Sequence, residues 1–334
     1  MATVLSTTAL PTVDLRDEPG VLRKRLRDAV HDLGFCYLIG HGVAQSLADE
    51  VLDVARSFFA LPQADKDAIA MVNSPHFRGY TRLGGELTLG AVDWREQIDI
   101  GPERAPVGGP GKPEYLWQQG PNQWPARLPQ LRAVMAEWDG ALSAVARSLL
   151  RHLAIALGSP PDVFDAAFAK TPATLIKIVR YPARAATSQG VGAHRDAGVL
   201  TLLLAEPGSR GLQVRRPRSE HDEDGWIDVP AVDGAFIVNI GELLEVATGG
   251  YLRATEHRVI QRQPSRERIS VPYFFNPRLD AQIPVLQLPP KLAAQARLRV
   301  DPADPIFSVY GRNAWKSRLR AHPDVAAAHG YPRD

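Results

Sequence analysis

The stretch GVGAHRDAGVLTLLL, residues 190–204, sets His194-Arg195-Asp196 just before an apolar run. Two chemistries share that tripeptide. A protein-kinase catalytic loop also reads His-Arg-Asp, but it needs an Asn shortly after the Asp, a separate Asp-Phe-Gly and an upstream G-x-G-x-x-G loop. Here Asp196 is followed by Ala197-Gly198-Val199-Leu200-Thr201-Leu202, and neither of the other two motifs occurs in the chain. The kinase reading fails on context. The other reading takes His194 and Asp196 as part of an iron site, which requires a second histidine downstream.

Around this stretch the sequence changes period. From about residue 174 onward, TLIKIVRYP, GVLTLLLAE, GLQVRR, GWIDVP, GAFIVNIG, YLRATEHRVI and RISVPYFFNP are short runs rich in Val, Ile, Leu and Tyr, separated by Gly, Pro and Asp. Many short strands with even punctuation predict an antiparallel sandwich or barrel. In extended backbone residues i and i+2 share a face, so His194 and Asp196 are expected to project together at the start of a strand. His257 in YLRATEHRVI supplies the second imidazole, with Thr255 and Val259 on its face. Two imidazoles and one carboxylate on one face of an octahedron leave three positions open for co-substrate and O₂. Ligand type alone leaves a tetrahedral zinc site as an alternative. Farther on, Arg268 and Ser270 share a face of RISVPYFFNP, a guanidinium fork and a hydroxyl suited to a carboxylate.

The first half reads mainly as helix. PGVLRKRLRDAVHDLG carries Val21, Leu22, Leu26, Ala29, Val30 and Leu33 on one stripe and stops at Gly34. FCYLIG is a short buried strand, and QSLADEVLDVARSFFALP a second helix ending at Pro62. The longest helix is expected over about residues 129–157, with Leu131, Val134, Trp138, Leu142, Val145, Leu149, Leu153 and Ala156 at spacings of three and four. At about 1.5 Å per residue it is roughly 40 Å long, enough to back a whole sheet. Gly111-Lys112 is no phosphate loop, because Pro113 stands where Ser or Thr is needed. RRPRSEHDEDG reads as a solvated hairpin loop, and NAWKSRLRAHPDVAAAHG as a helical tail.

Composition sets the outer limits. With 334 residues, 45% apolar, 23% charged and a net charge of +2, the chain reads as an ordinary globular protein with no basic stripe for nucleic acid. The lone Cys36 cannot form an internal disulfide, no signal peptide is read at MATVLSTTAL, and no charge-free apolar stretch reaches membrane-helix length. The expectation is a cytoplasmic protein without membrane or nucleic-acid partners. Oligomeric state is not written in these features.

LPTVDL, LGFCYLIGHGV, FFALP, FRGY, DWREQIDI, AHRDAGVLTLLL, GLQV, GAFIVNIGELL, ATEHRVI and RISVPYFFNP, in that order, and then SVYGRNAWKSRLRAHPDV, resemble the isopenicillin N synthase family of Fe(II)- and 2-oxoglutarate-dependent oxygenases. The resemblance implies an α+β fold with a double-stranded β-helix (jelly-roll) core, flanked by N-terminal helices and a C-terminal helix. The expected organisation is a single oxygenase domain over 1–334: helical to about 170, jelly-roll over about 171–290, and tail over 291–334. It implies Fe(II) on His194, Asp196 and His257, 2-oxoglutarate gripped by Arg268 and Ser270 with Tyr181 donating to the same group, and O₂ as oxidant. Hydroxylation of an unactivated C–H of a small molecule, with release of succinate and CO₂, is the default reaction. Plant members carry Asn two residues before that Tyr, where this chain has Val179; Arg195 occupies a free position and is expected to point away from the metal.

By the same resemblance Arg78, Tyr80, Glu86 and Trp94-Arg95 approach the barrel mouth as substrate-pocket candidates. Phe275 is a further candidate, with a core position as its alternative. Asn239 and Glu242 are expected to shape a strand-to-helix turn. The basic Arg78 and Arg95 suggest a carboxylate on the substrate. Rival readings are an iron oxidase of the same family that does not use 2-oxoglutarate, a non-catalytic jelly-roll binding protein, and a zinc hydrolase. The last two leave Arg268 and Ser270 without a role.

Overall fold

The structure, a computed structural model, describes residues 10–109, 111–183, 189–216, 225–260, 266–298 and 300–332. Among them the strands are β1 (Thr12–Asp14), β2 (Phe35–Ile39), β3 (Gly79–Thr81), β4 (Leu87–Thr88), β5 (Ala91–Val92), β6 (Glu96–Ile100) and β7 (Leu175–Tyr181). They continue as β8 (Gln189–His194), β9 (Leu200–Ala205), β10 (Leu212–Arg215), β11 (Trp226–Asp228), β12 (Phe236–Ile240), β13 (His257–Ile260) and β14 (Arg268–Phe275). A large sheet runs β1-β2-β12-β9-β14-β7-β6-β3, a smaller one β11-β10-β13-β8, and β4 and β5 form a separate hairpin. Apart from the parallel β1–β2 pair, neighbouring strands in the two sheets are antiparallel.

Side-chain alternation divides the large sheet into two faces. Cys36 and Leu38, Ile176 and Ile178, Leu200, Leu202 and Leu204, Phe236, Val238 and Ile240, and Ile269, Val271, Tyr273 and Phe275 all enter one apolar core. That core is closed by the helix Gln130–Ala156, whose Leu131, Val134, Trp138, Leu142, Val145, Leu149 and Leu153 are buried as the spacing predicts. The helices Pro19–Asp32 and Gln45–Phe59 pack against it in turn. The opposite face contributes Phe35, Tyr37, Val179, Tyr181 and Ile237 to a second core, which Val191, Leu212, Val214 and Val259 of the smaller sheet complete. The cavity described below opens between the two sheets.

The helix Pro19–Asp32 starts where Glu18 accepts from the amides of Gly20 and Val21, and it ends at Gly34, whose φ of 75° a side chain would resist. The front part is less helical than its periodicity suggests. It lends β1 and β2 to one edge of the large sheet and β6 and β3 to the other. YLRATEHRVI is a strand only over His257–Ile260. His194 ends strand β8 instead of opening one, and Asp196 lies in the turn before β9. Of the expected hairpin loop RRPRSEHDEDG, residues 217–224 fall outside the described residues. The tail is helical as expected, over Tyr310–Ala321 and Pro323–Ala328. Among the described residues no helix is long and apolar enough to cross a membrane.

Candidate active site

His194 and His257 are paired residues of adjacent antiparallel strands, and their rings sit 4.3 Å apart between centroids. The Nδ1 of His194 lies 2.8 Å from the carbonyl of Gly192, and that of His257 lies 3.1 Å from the carbonyl of Thr255. A carbonyl only accepts, so each Nδ1 carries a proton and Nε2 is the atom each ring can offer to a metal. The turn carrying Asp196 is pinned from outside. The carbonyl of Asp196 accepts from the amide of Glu242, that of Gly198 from Leu243, and that of Val199 from Gly241. The Oδ2 of Asp196 accepts from Thr201 Oγ1 at 2.5 Å and Asn239 Nδ2 at 2.8 Å. Its Oδ1 faces the two imidazoles, 3.7 Å from Nε2 of His194 and 3.9 Å from Nε2 of His257. Those gaps are too long for hydrogen bonds and short enough for one ion to bridge; one ligand atom from each residue falls within 4.8 Å of the others.

The electrostatics suit a cation. Burial and the neighbouring His257 push His194 down to about 4, so its ring is neutral near pH 7. Burial opposes the charge on Asp196, but the two imidazoles, Thr201 and Asn239 together hold it below the usual carboxylate range. Partners of this kind fix ligand orientation, and their loss typically lowers metal affinity by about 10–100-fold. Thr201→Val is expected to weaken Fe(II) binding by that order with the fold intact, checked by competition against a chromophoric chelator.

On β14 Arg268 and Ser270 face the cavity with Pro272 and Phe274, on the opposite parity to the core residues. Arg268 is paired across the sheet with Tyr181, and its guanidinium lies 4.8 Å above the centre of that ring. Among the described residues, its Nε and Nη1 are buried without a hydrogen-bond partner. Leaving such donors unmet is costly, and a carboxylate is the group that matches them. Donor set and orphaned guanidinium together fit Fe(II) and a dicarboxylate.

The comparisons with known proteins agree. Residues 10–127 match the model of the non-haem dioxygenase in morphine synthesis N-terminal domain, and residues 173–277 that of the 2OG-Fe(II) oxygenase superfamily. The 2-oxoglutarate-dependent dioxygenase frbJ of Dothideomycetidae sp. is 34% identical over 96% of this chain and 92% of its own. This chain belongs to the 2OG-Fe(II) oxygenase superfamily. Homoarginine-6-hydroxylase 2-ODD-C23 of Glycine max is 36% identical over 80% of this chain and 82% of its own. The solved structure of JOX2 in complex with 2OG, Fe and JA superposes with a TM-score of 0.71 at 27% identity, over 96% of this chain and 89% of that one. The protein is thus an Fe(II)- and 2-oxoglutarate-dependent dioxygenase that oxidises small molecules, with a jelly-roll core of the expected kind.

The oxygenase cavity measures about 580 Å³ and is lined by the iron cluster, Arg268, Ser270 and Tyr181, and by three of the pocket candidates, Arg78, Glu86 and Arg95. Two candidates are corrected. Tyr80 lies in the core beneath the large sheet, where its hydroxyl donates to Glu96 at 2.5 Å. Phe275 is fully buried and stacked on Phe168 at 4.5 Å, on the helix side of β14. Phe275→Ala is therefore expected to cost about 3–5 kcal/mol of stability, read by chemical denaturation, while the affinity for 2-oxoglutarate is retained.

Other residues of the oxygenase site escaped the sequence reading. Asn239 holds Asp196 besides shaping the turn. Arg195 also lines the cavity, because the chain leaves the strand after His194 and the alternation argument lapses. Nearby Glu242 is pushed up to about 7 by burial, against the pull of Arg195. Lys177 and Arg318 complete a buried charge cluster: Glu86 meets Arg95 at 2.8 Å and Lys177 at 2.7 Å, and Asp99 meets Arg318 at 2.5 Å. Lys177 shares its parity with Tyr181 on β7, a signal that could have exposed it. Arg318 comes from the C-terminal helix, and nothing in its local sequence marks it.

Proposed function

We propose that Nε2 of His194, Nε2 of His257 and Oδ1 of Asp196 hold the Fe(II), and that Arg268 and Ser270, with Tyr181, receive the distal carboxylate of 2-oxoglutarate. The observation that carries this reading is the convergence of three unengaged ligand atoms, each fixed from behind, in one cavity with an unpartnered buried guanidinium. When bound, the metal and co-substrate supply an oxidant for an unactivated C–H bond, at the expense of O₂ and with release of succinate and CO₂. The protein's residues position and enclose. His194 stays neutral and Asp196 charged, and the cavity between the two sheets is where the substrate's reacting carbon would sit beside them.

Hydroxylation is the outcome this reading favours, and the relative named homoarginine-6-hydroxylase supports a small polar substrate. We further infer that the chain works as one oxygenase domain, since the strands of its first hundred residues extend the same sheet that carries β7, β9, β12 and β14. Cys36, buried and with its thiol pushed up to about 12, is unreactive and fits the reducing cytoplasm. The test is an anaerobic titration of metal-free protein with Fe(II) and then 2-oxoglutarate. A visible charge-transfer band that needs both components supports the assignment; tight iron binding without the band would favour the family's oxidases that do not use 2-oxoglutarate.

A further inference from the structure

The charges around the cavity do not cancel evenly. Arg95 is met by Glu86 at 2.8 Å and Asp93 at 3.2 Å, Lys177 by Glu86 at 2.7 Å, and Arg318 by Asp99 at 2.5 Å. Lys316 and Arg320 share Asp304 at 2.6 and 2.8 Å. Arg78 is different. Its Nη2 donates to the carbonyl of Gln118 at 3.0 Å and its Nη1 to that of Phe77 at 3.4 Å. Among the described residues its Nε has no partner at all and no carboxylate reaches it within 4.0 Å, although it is only 8% exposed. A buried cation without a counter-charge is strongly unfavourable unless something else supplies one.

The guanidinium is also held in place. Phe77 precedes it in the left-handed region at φ 54°, a conformation a bulky residue adopts only when its surroundings enforce it. The enforcing surface is the tail: Phe77 meets Trp315 edge-on at 5.7 Å and stacks on Tyr331 at 5.9 Å. Gly101 provides the floor, since a Cβ there would stand 2.4 Å from Nη2 and 2.5 Å from Nε.

We propose that Arg78 anchors a carboxylate of the primary substrate, so that this enzyme acts on small organic acids. The proposal rests on the cavity shared with the iron cluster being the substrate site. The substrate's carboxylate supplies the missing counter-charge at Arg78, as the co-substrate's does at Arg268, and the substrate spans from one cation toward the metal. Arg95, saturated by two carboxylates, does not share this role.

The experiment uses the anaerobic Fe(II)–2-oxoglutarate complex of the full chain. Its visible band is followed on adding phenylacetate, hexanoate or N-acetyl-leucine, each against its primary amide. The band before any addition reports the iron and co-substrate site, so failure of that reading is seen separately. The expected result is that acids perturb the band at concentrations on the order of 10- to 100-fold lower than their amides, the range of a charge-assisted contact. Arg78→Gln is expected to erase that preference. Gly101→Ala, which displaces the guanidinium without removing it, is expected to reduce it too and covers the case in which the Arg78 variant fails to fold. Amides matching acids in the wild type, no response to any of the acids at millimolar concentration, or a preference that survives both variants would overturn the proposal.

Discussion

Asp196→Ala is expected to abolish turnover and to lower Fe(II) affinity by more than the ~10–100-fold that loss of a supporting partner costs. Two neutral imidazoles alone offer the ion no compensating charge. Asp196→Asn is expected to be nearly as damaging despite its identical shape. Thr201 and Asn239 both donate to Oδ2, so the amide oxygen of an asparagine would turn toward them and its NH₂, which has no lone pair to give, would face the metal. Fe(II) binding followed by chelator competition, with succinate release as the activity readout, checks both variants. Wild-type iron affinity in Asp196→Asn would remove Asp196 from the ligand set.

Arg268→Ala is the second large effect. Nε and Nη1 are orphaned, and on the proposed assignment they would make two charge-assisted bonds to 2-oxoglutarate. At about 1.5–3 kcal/mol each, their loss is expected to raise the KM for 2-oxoglutarate by about 10²–10⁴-fold while leaving Fe(II) affinity near wild type. Arg268→Lys keeps the charge but not the fork and is expected to recover only part of the loss. Ser270→Ala removes a single hydroxyl and is expected to cost about tenfold. An unchanged KM in Arg268→Ala, with the fold verified by circular dichroism, would remove Arg268 from the 2-oxoglutarate site.

The chemistry was legible in the sequence because it lies on regular backbone or in short motifs. His-x-Asp and the later histidine stood out by spacing, and alternation put Arg268 and Ser270 on one face. The same alternation, carried to the end of RISVPYFFNP, would have sent Phe275 to the face of Ile269, Val271 and Tyr273, where it is found. Tyr80 was misplaced for a different reason: the resemblance grouped it with Arg78, whereas its side chain enters the core from β3. Lys177, Arg318 and Asn239 reach the cavity from three elements far apart in sequence, and only the assembled sheets bring them together. In the front part β2 was legible in FCYLIG, whereas β1 and β3 span three residues each, too short for a period to register.

On the proposed assignment, the two-sidedness of β14 ties capture of 2-oxoglutarate to the survival of the fold. A slip of one residue along its neighbours β7 and β9 would turn Arg268 and Ser270 into the greasy layer under the long helix and expose Phe275 and Tyr273 to the cavity. A variant that loses its grip on the co-substrate by this route therefore loses its core as well.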